Sequence, residues 1–365
     1  MVRFISRIVL LMIIFVVVTG KGSRAAGSFN SGDEKKYQVT FGESYHNYLP
    51  GSLLSIGIVF KNNSTDSLKI SQELFVADSA GIKVWNTMIN LGLPPAGSVT
   101  IPLMVPVSKS SGKFTLTIAQ EPNGASVPSF LFSVIQPKKS PRLSKILVHT
   151  PDSEVGLNKF LKSWDIKAPT ISWGQVLLLG KKSWAQYVAG DKEITQLVDR
   201  ALKREMSVIF IDFGSTSNQE DQIKKIGLPY NLTVSFIKAK EPEQRFVLKS
   251  DYKELTFDFP SSQLQHWNGY LGVTVPATDL IFEGKDVKIS AYATTGENPY
   301  RFPLVELIPK GGKGKIYLSQ IITEGRLDES VKPLRNHPEL PAYDPVAVQF
   351  LLNLISATVG DNLLK

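Results

Sequence analysis

SVIFIDFGS, residues 207–215, is an apolar run that breaks on a sharp turn. A strand ending this way lifts one side chain clear of a sheet, and several α/β enzymes seat a nucleophile there. This turn offers Asp212, Phe213 and Gly214 instead of a serine or cysteine. Further on, QIITEGR (320–326) closes a second apolar run and brings Glu324 and Arg326 to another strand end. Two carboxylates held roughly 5–10 Å apart can share general acid and base or nucleophile roles on a glycosidic bond. Asp212 and Glu324 are the pair that could do so. The plainer reading is that Asp212 caps the turn after its strand and that Glu324 pairs with Arg326.

His149 and Asp152, in HTPDSE, follow a third apolar run and belong to the same rim. The four histidines stand at 46, 149, 266 and 337. None has ligand spacing, and with no cysteine in the chain no metal site is expected. No cofactor is expected either. Asp212-Phe213-Gly214 matches the magnesium triplet of kinases but lacks their glycine-rich loop and His-Arg-Asp loop. PKGGKGK (309–315) lacks the first glycine of a phosphate loop and the hydroxyl residue after its lysine. Trp164, Trp173, Trp184 and the His266–Trp267 pair are candidate sugar platforms. Core filling is the competing role for each. Trp267, beside the turn residues Asn268-Gly269, is the indole expected to be exposed.

The elements around these residues read as two domains. Over 143–365, SKILVHT, QVLLLG and SVIFIDF are continuously apolar, as parallel strands covered on both faces must be. SEVGLNKFLKSW and DKEITQLVDRALKRE have helical periodicity, the second with acids first and bases last. Residues 229–300 form a β-rich insertion with strands predicted at LTVSFIKA, RFVLKS and ELTFDF. FPLVELIPKGGKGKIYLSQI follows as two strands joined by a turn. The last helix is VAVQFLLNLI, with Asp344 at its N-cap and Pro345 in its first position.

Residues 37–136 carry short strand-like runs (YQVTF, SLLSIGIVF, LKISQELFVAD, VTIPLMVPV, KFTLTIAQ, FLFSVIQ) between turn signals. That spacing predicts an immunoglobulin-like β-sandwich. Residues 137–142 are a Pro- and Lys-rich linker. The fold class is therefore multidomain β plus α/β, the second domain doubly wound.

Residues 1–26 read as a signal peptide. Arg3 and Arg7 precede the apolar run Ile8–Val18, and small residues follow it. Residues 27–36 are a disordered lead-in. Four of the 41 basic residues lie in this leader with no acid. The remaining 37 against 33 acids leave +4, too little to imply nucleic-acid binding. No second run is long and apolar enough for a membrane span after leader removal. Export without disulfides points to a bacterial periplasm or cell envelope.

The sandwich stretch FKNNSTDSLKISQELFVADSAGIKVW resembles bacterial modules that flank carbohydrate-active catalytic domains. The α/β half resembles the class I glutamine amidotransferase-like fold, in the degenerate form found at the C-terminus of some family-two glycoside hydrolases. The resemblance covers about residues 143–360. It rests on QVLLLG, the helix before SVIFIDFG, GKGKIYLSQ and YDPVAVQFLLNLI. It implies a flavodoxin-like sheet and a tie to glycan metabolism. Active members place cysteine in Gly-x-Cys-x-Gly and histidine in Gln-x-His-x-Glu. Here those positions hold Asp212 and Ile322, while Gly214, Gln320 and Glu324 match. Aspartate cannot perform thiolate acyl transfer and isoleucine cannot carry a proton. The chain therefore reads as a non-catalytic exported binding or accessory protein, with a glycan or glycan-processing enzyme as partner. A saccharide hydrolase using Asp212 and Glu324, and a docking partner of a larger envelope enzyme, are the alternatives. His149, Asp152, Asp212, His266, Trp267, Glu324 and Arg326 are the candidate ligand contacts.

Overall fold

The computed structural model describes residues 37–42, 46–119, 128–169, 174–213, 224–238, 242, 246–248, 254–258, 267–276, 278–284, 287–291, 293–294, 302–310, 314–331 and 339–359. The leader, the lead-in, Trp173, Gly214 and His266 lie outside them. No helix among the described residues is long and apolar enough to cross a membrane. The chain is a β-rich protein of several sheets with four α-helices among those residues. It divides into two compact units. One holds residues 1–44, 51–108 and 112–132, and the other holds 45–50, 109–111 and 133–365.

The chain begins with Tyr37–Phe41 (β1), Asn47–Tyr48 (β2), Leu53–Asn62 (β3) and Leu68–Asp78 (β4). Lys83–Leu93 (β5), Ser98–Pro106 (β6), Gly112–Ile118 (β7) and Ser129–Val134 (β8) follow. In the first unit, β1-β3-β6 form one antiparallel sheet and β8-β7-β4-β5 run side by side in another. Period-two burial builds its core. Leu54, Ile56, Ile58 and Phe60 of β3 turn inward, as do Leu116 and Ile118 of β7 and Phe130 and Phe132 of β8. β5 is an unpredicted strand. It lies at a sheet edge, with Trp85, Thr87, Ile89, Leu91 and Leu93 on its buried or half-buried side and Val84, Asn86, Met88, Asn90 and Gly92 exposed, so apolar Val84 and Met88 on the open side blur the alternation. In the second unit, β2 pairs in parallel with Ser133 and Val134.

The second unit continues with Val148–His149 (β9), the helix Val155–Ser163 (α1) and Val176–Leu179 (β10). Then come Lys181–Val188 (α2), Lys192–Lys203 (α3) and Ser207–Ile211 (β11). The β-rich insertion supplies Lys224–Leu228 (β12), Leu232–Lys238 (β13), Val247–Leu248 (β14), Thr278–Glu283 (β15), Val287–Ala291 (β16) and Ala293–Thr294 (β17). Leu304–Pro309 (β18), Lys315–Ser319 (β19) and Pro345–Ala357 (α4) complete it. ELTFDF is a turn at 254–258, not a strand; Leu255 is buried there and Asn353 holds its carbonyl.

The main sheet runs β16-β18-β19-β11-β10-β9. β9, β10, β11 and β19 are parallel, and β18 and β16 join antiparallel. A further parallel bridge, Leu147↔Lys167, lies beside β9. The chain thus goes from β9 through α1 to residue 167, then resumes at β10. Alternation along each parallel strand sorts two cores. Leu177, Leu179, Val208, Phe210, Ile316 and Leu318 share one with Trp184 of α2 and Ile194, Val198 and Leu202 of α3. Val176, Leu178, Ile209, Ile211 and Tyr317 share the other with Leu157 and Phe160 of α1 and Phe350 of α4. Full burial of each such side chain stabilises by about 1.5–3 kcal/mol. α3 starts on Asp191, whose carboxylate accepts from the Glu193 and Ile194 amides.

α4 is buried along almost its whole length, including Gln349 and Asn353. Those two side chains find partners elsewhere in the unit. The Lys138 amide donates to Gln349 Oε1 at 2.7 Å, and Gln349 Nε2 donates to the Lys138 carbonyl at 3.1 Å. Asn353 Nδ2 donates to the carbonyls of Leu255 and Phe257. The stretch read as a linker is therefore laid along α4.

Candidate functional site

The sheet order reverses between β9 and β10, and open α/β sheets bind ligands at the carboxyl ends of strands beside such a point. A cleft of about 820 Å³ opens there, a size usual for small-molecule sites. α1 contributes Leu157, Lys159, Phe160 and Ser163, and Trp164 follows it. Gly180, Lys181 and Lys182 come from the start of α2. Glu324, Gly325, Leu327, Asp328, Glu329, Val331 and Tyr343 contribute another part of the lining, and the buried carboxylates Glu154 and Asp212 line it too.

Asp212 sits where β11 ends, with φ 57°, in the left-handed region that Asp and Asn tolerate better than most residues. It is only 5% exposed. One carboxylate oxygen accepts from the Thr323 and Glu324 amides, and the other accepts from the Thr323 hydroxyl at 2.8 Å. Asp212 is thus a cap, as the plainer reading held, but it caps the turn after β19 and not the one after its own strand. Burial pushes its carboxyl up to about 6. The bonds from Thr323 and Glu324 pull the other way without cancelling that push, and the nearby Glu324 charge adds to it. Phe213 turns to the other side of the sheet and packs on Trp184 at 5.1 Å.

Glu154 is a site residue that the sequence reading missed. It occupies the N-cap position of α1, yet its side chain caps α2 instead. Its Oε1 accepts from the Ser183 amide and hydroxyl, both at 2.7 Å. The close approach requires Gly180, because a Cβ there would stand 2.6 Å from Glu154 Oε2. Glu154 is 9% exposed, and its Oε2 accepts no hydrogen bond from the described residues. An acid before an apolar helical stripe reads as an ordinary first-turn residue, so nothing local marks Glu154 as buried.

Two ion pairs join the helical side of the cleft to the 324–331 segment. Lys181 reaches Glu324 at 3.1 Å, and Lys159 reaches Asp328. Glu324 therefore pairs with Lys181 and not with Arg326. The Lys159 ammonium, with Ser330 behind it, holds the Asp328 carboxyl down to about 2.

Arg326 is fully buried, so it is not a surface contact for ligand. Its guanidinium donates to the carbonyls of Asn268, Gly269, Ile322 and Val273 at 2.7–2.8 Å. It lies over the rings of Trp267 and Tyr270, 5.5 and 5.0 Å from their centroids. The expectation of an exposed Trp267 fails: the indole is 1% exposed and packs against Phe246 and Phe350. The turn beside it is pinned from within. Asn268 accepts from the amides of His46 and Asn47 and donates to the carbonyls of Asn47 and Tyr343. Asp344 caps α4 through the Val346 and Ala347 amides and also accepts from Asn268 N and Asn47 Nδ2.

His149 is half-buried and Asp152 exposed, and neither lines the cleft. Burial lowers the His149 pKa, partly offset by the Asp152 charge. Trp164 is the described indole that lines the cleft. Ile322, at the position where the amidotransferase-like pattern has histidine, is half-buried; its amide donates to the Thr274 carbonyl at 2.9 Å. Among the described residues no three His, Asp or Glu side chains are grouped to hold a metal ion.

Comparison with protein-family profiles gives no match, and no curated protein matches the chain. Among solved structures, a β-glucosidase from Listeria innocua in complex with glucose aligns at 13% identity and a TM-score of 0.24, over 27% of this chain and 16% of that one. A β-glucosidase from Erythrobacter marinus aligns at 9% identity and a TM-score of 0.22, over the same shares. A Pseudomonas fluorescens alkylpurine DNA glycosylase bound to DNA aligns at 11% identity and a TM-score of 0.22, over 27% of this chain and 30% of that one. The chain therefore spans under a third of the length of each of these proteins, and likenesses this slight carry no argument about fold or function.

Proposed function

We propose that the chain is an exported, non-catalytic binding or accessory protein of glycan metabolism, its ligand held in the cleft at the carboxyl edge of the parallel sheet. In this reading residues 37–136 form an immunoglobulin-like sandwich and 143–365 a flavodoxin-like, amidotransferase-like domain. The observation that carries the proposal is the fate of the nucleophile position. Asp212 stands there with its carboxylate already bonded to Thr323 and Glu324, beside a cleft of ligand size. The Trp164 ring lining that cleft suits the C–H face of a pyranose. The glycan connection itself comes from the resemblance of GKGKIYLSQ and DPVAVQFLLNL to the degenerate amidotransferase-like domain.

A second reading, a saccharide hydrolase, is favoured by the left-handed backbone and raised pKa of Asp212, the marks of a reactive strand-end acid. Its bonds to the backbone of Glu324 weigh against it, since they tie the two acids to a single turn. Calorimetric titration of the full chain with an oligosaccharide panel, run beside a glycosidase assay, decides among the readings. Binding without turnover supports the proposal. Turnover that disappears in Asp212→Asn replaces it with the hydrolase. Silence in both assays favours a docking role on a larger envelope enzyme.

A further inference from the structure

Among the described residues the cleft contains a buried carboxylate with only one of its two oxygens in use. Glu154 is nine-tenths buried, and a buried ionisable group normally fills its hydrogen bonds. Oε1 is spent on Ser183, while Oε2 takes nothing from the described residues. The backbone holds the group there by design of the sequence: Gly180 leaves the space in which the carboxylate rests, and the first turn of α2 clamps its other oxygen. Relaxing away would cost the Ser183 bonds and uncap the helix.

The surroundings limit what can meet Oε2. Lys159 and Lys181 are committed to Asp328 and Glu324, so their charges are balanced within the lining. Of the remaining charged residues in the lining, Glu154, Asp212 and Glu329 are acids and Lys182 is the one base, which leaves the cleft acidic. An anionic ligand would meet like charge. A ligand bearing a cationic donor would complete the open acceptor with a charge-assisted hydrogen bond. Trp164 adds a flat apolar ring on the same α1 side of the cleft.

Resting on the glycan reading above, we infer that the cleft recognises an amino sugar with a free ammonium, and that Glu154 Oε2 is the acceptor that reads it. The pyranose packs against Trp164, and the ammonium donates to Glu154.

The test is calorimetric titration of the full chain with three probes: a glucosamine disaccharide, its N-acetylated counterpart, and cyclohexylamine as a ring cation without sugar hydroxyls. The expected result is a preference of about tenfold or more for the free amine over the acetylated sugar. That preference should collapse in Glu154→Gln, which keeps the oxygen that caps Ser183, while the melting temperature stays near the parent value. Trp164→Ala should weaken both sugars alike and leave their ratio intact. Equal binding of the two sugars overturns the inference and leaves the glycan reading standing. A preference that survives Glu154→Gln overturns the role of Glu154. Cyclohexylamine binding as tightly as glucosamine overturns the saccharide class, and with it the glycan reading. No binding by any probe overturns both.

Discussion

Two regions of the α/β unit bury carboxylates, and they use them differently. Around Asn268, Asp344 fills both oxygens: one takes the Val346 and Ala347 amides, the other Asn268 N and Asn47 Nδ2. In the cleft Asp212 takes three donors and Glu154 only two, both on one oxygen. The chemical group is the same and all three side chains are buried. What differs is the acceptor capacity left over, and that remainder separates an acid that holds the fold from one that can meet a ligand.

The contrast can be broken hardest at Asp344. Asp344→Ala strips four donors of their acceptor and leaves the buried Arg326 guanidinium without the carboxylate that favours its charge. Loss of about 3–5 kcal/mol in urea unfolding is expected. A loss within 1 kcal/mol would mean that the Asn268 region is not the structural half of the comparison.

Next in size is a pH effect at Asp212. Its folded-state pKa, about 6, lies above the ordinary value of 3.8, so the folded protein binds a proton that the unfolded chain has already released. Stability from this group is whole below the unfolded value and is lost as pH rises through about 6, a span of about 3 kcal/mol. Asp212→Asn has no proton to lose. Relative to the parent it should gain stability steadily between pH 4 and 7, read from unfolding curves at four pH values. Parallel pH profiles would show that Asp212 is no more perturbed than a surface acid.

Gly180→Ala sharpens the comparison at Glu154. The added methyl would stand 2.6 Å from Oε2, so the carboxylate must shift and its hold on Ser183 weakens. A cost of about 1–3 kcal/mol follows, and ligand binding should fall more than stability alone explains. The smallest effect belongs to Lys159→Ala. Its pair with Asp328 is solvent-exposed, so the change in stability should stay under about 1 kcal/mol and shrink further in salt.

Where the sequence was legible, the signals were local. α3 announces itself through Asp191, its apolar stripe and its basic last turn, and α4 through Asp344-Pro345. β4 occupies the predicted run LKISQELFVAD end to end, with Gln72 the one polar residue on its buried face. α2 gave no such signal, because its cap comes from Glu154 and not from a neighbour in sequence. β5 was hidden by its exposed side, where Val84 and Met88 stand among Asn86, Asn90 and Gly92 and interrupt the alternation that Trp85, Ile89, Leu91 and Leu93 carry on the other side. The site followed the same division. Asp212 and Glu324 were found because strand ends are readable. Glu154 and the pairing of Lys181 with Glu324 depend on which loops the sheet order brings together. Asn268-Gly269 signals an exposed turn, yet Trp267 is covered by Phe246, Phe350 and the Arg326 guanidinium, none of them near it in sequence.

The bond between Gln349 and the Lys138 backbone has a consequence for how the protein is made. One layer of the parallel sheet, with Ile209, Ile211 and Tyr317, has no complete cover until α4 leaves the ribosome. A nascent chain halted before Pro345 would present that greasy surface to the cell, together with an upstream strap that has nothing to grip. Such a chain is a natural client for chaperones and proteases, and the appearance of residues 345–357 is the moment at which it stops being one.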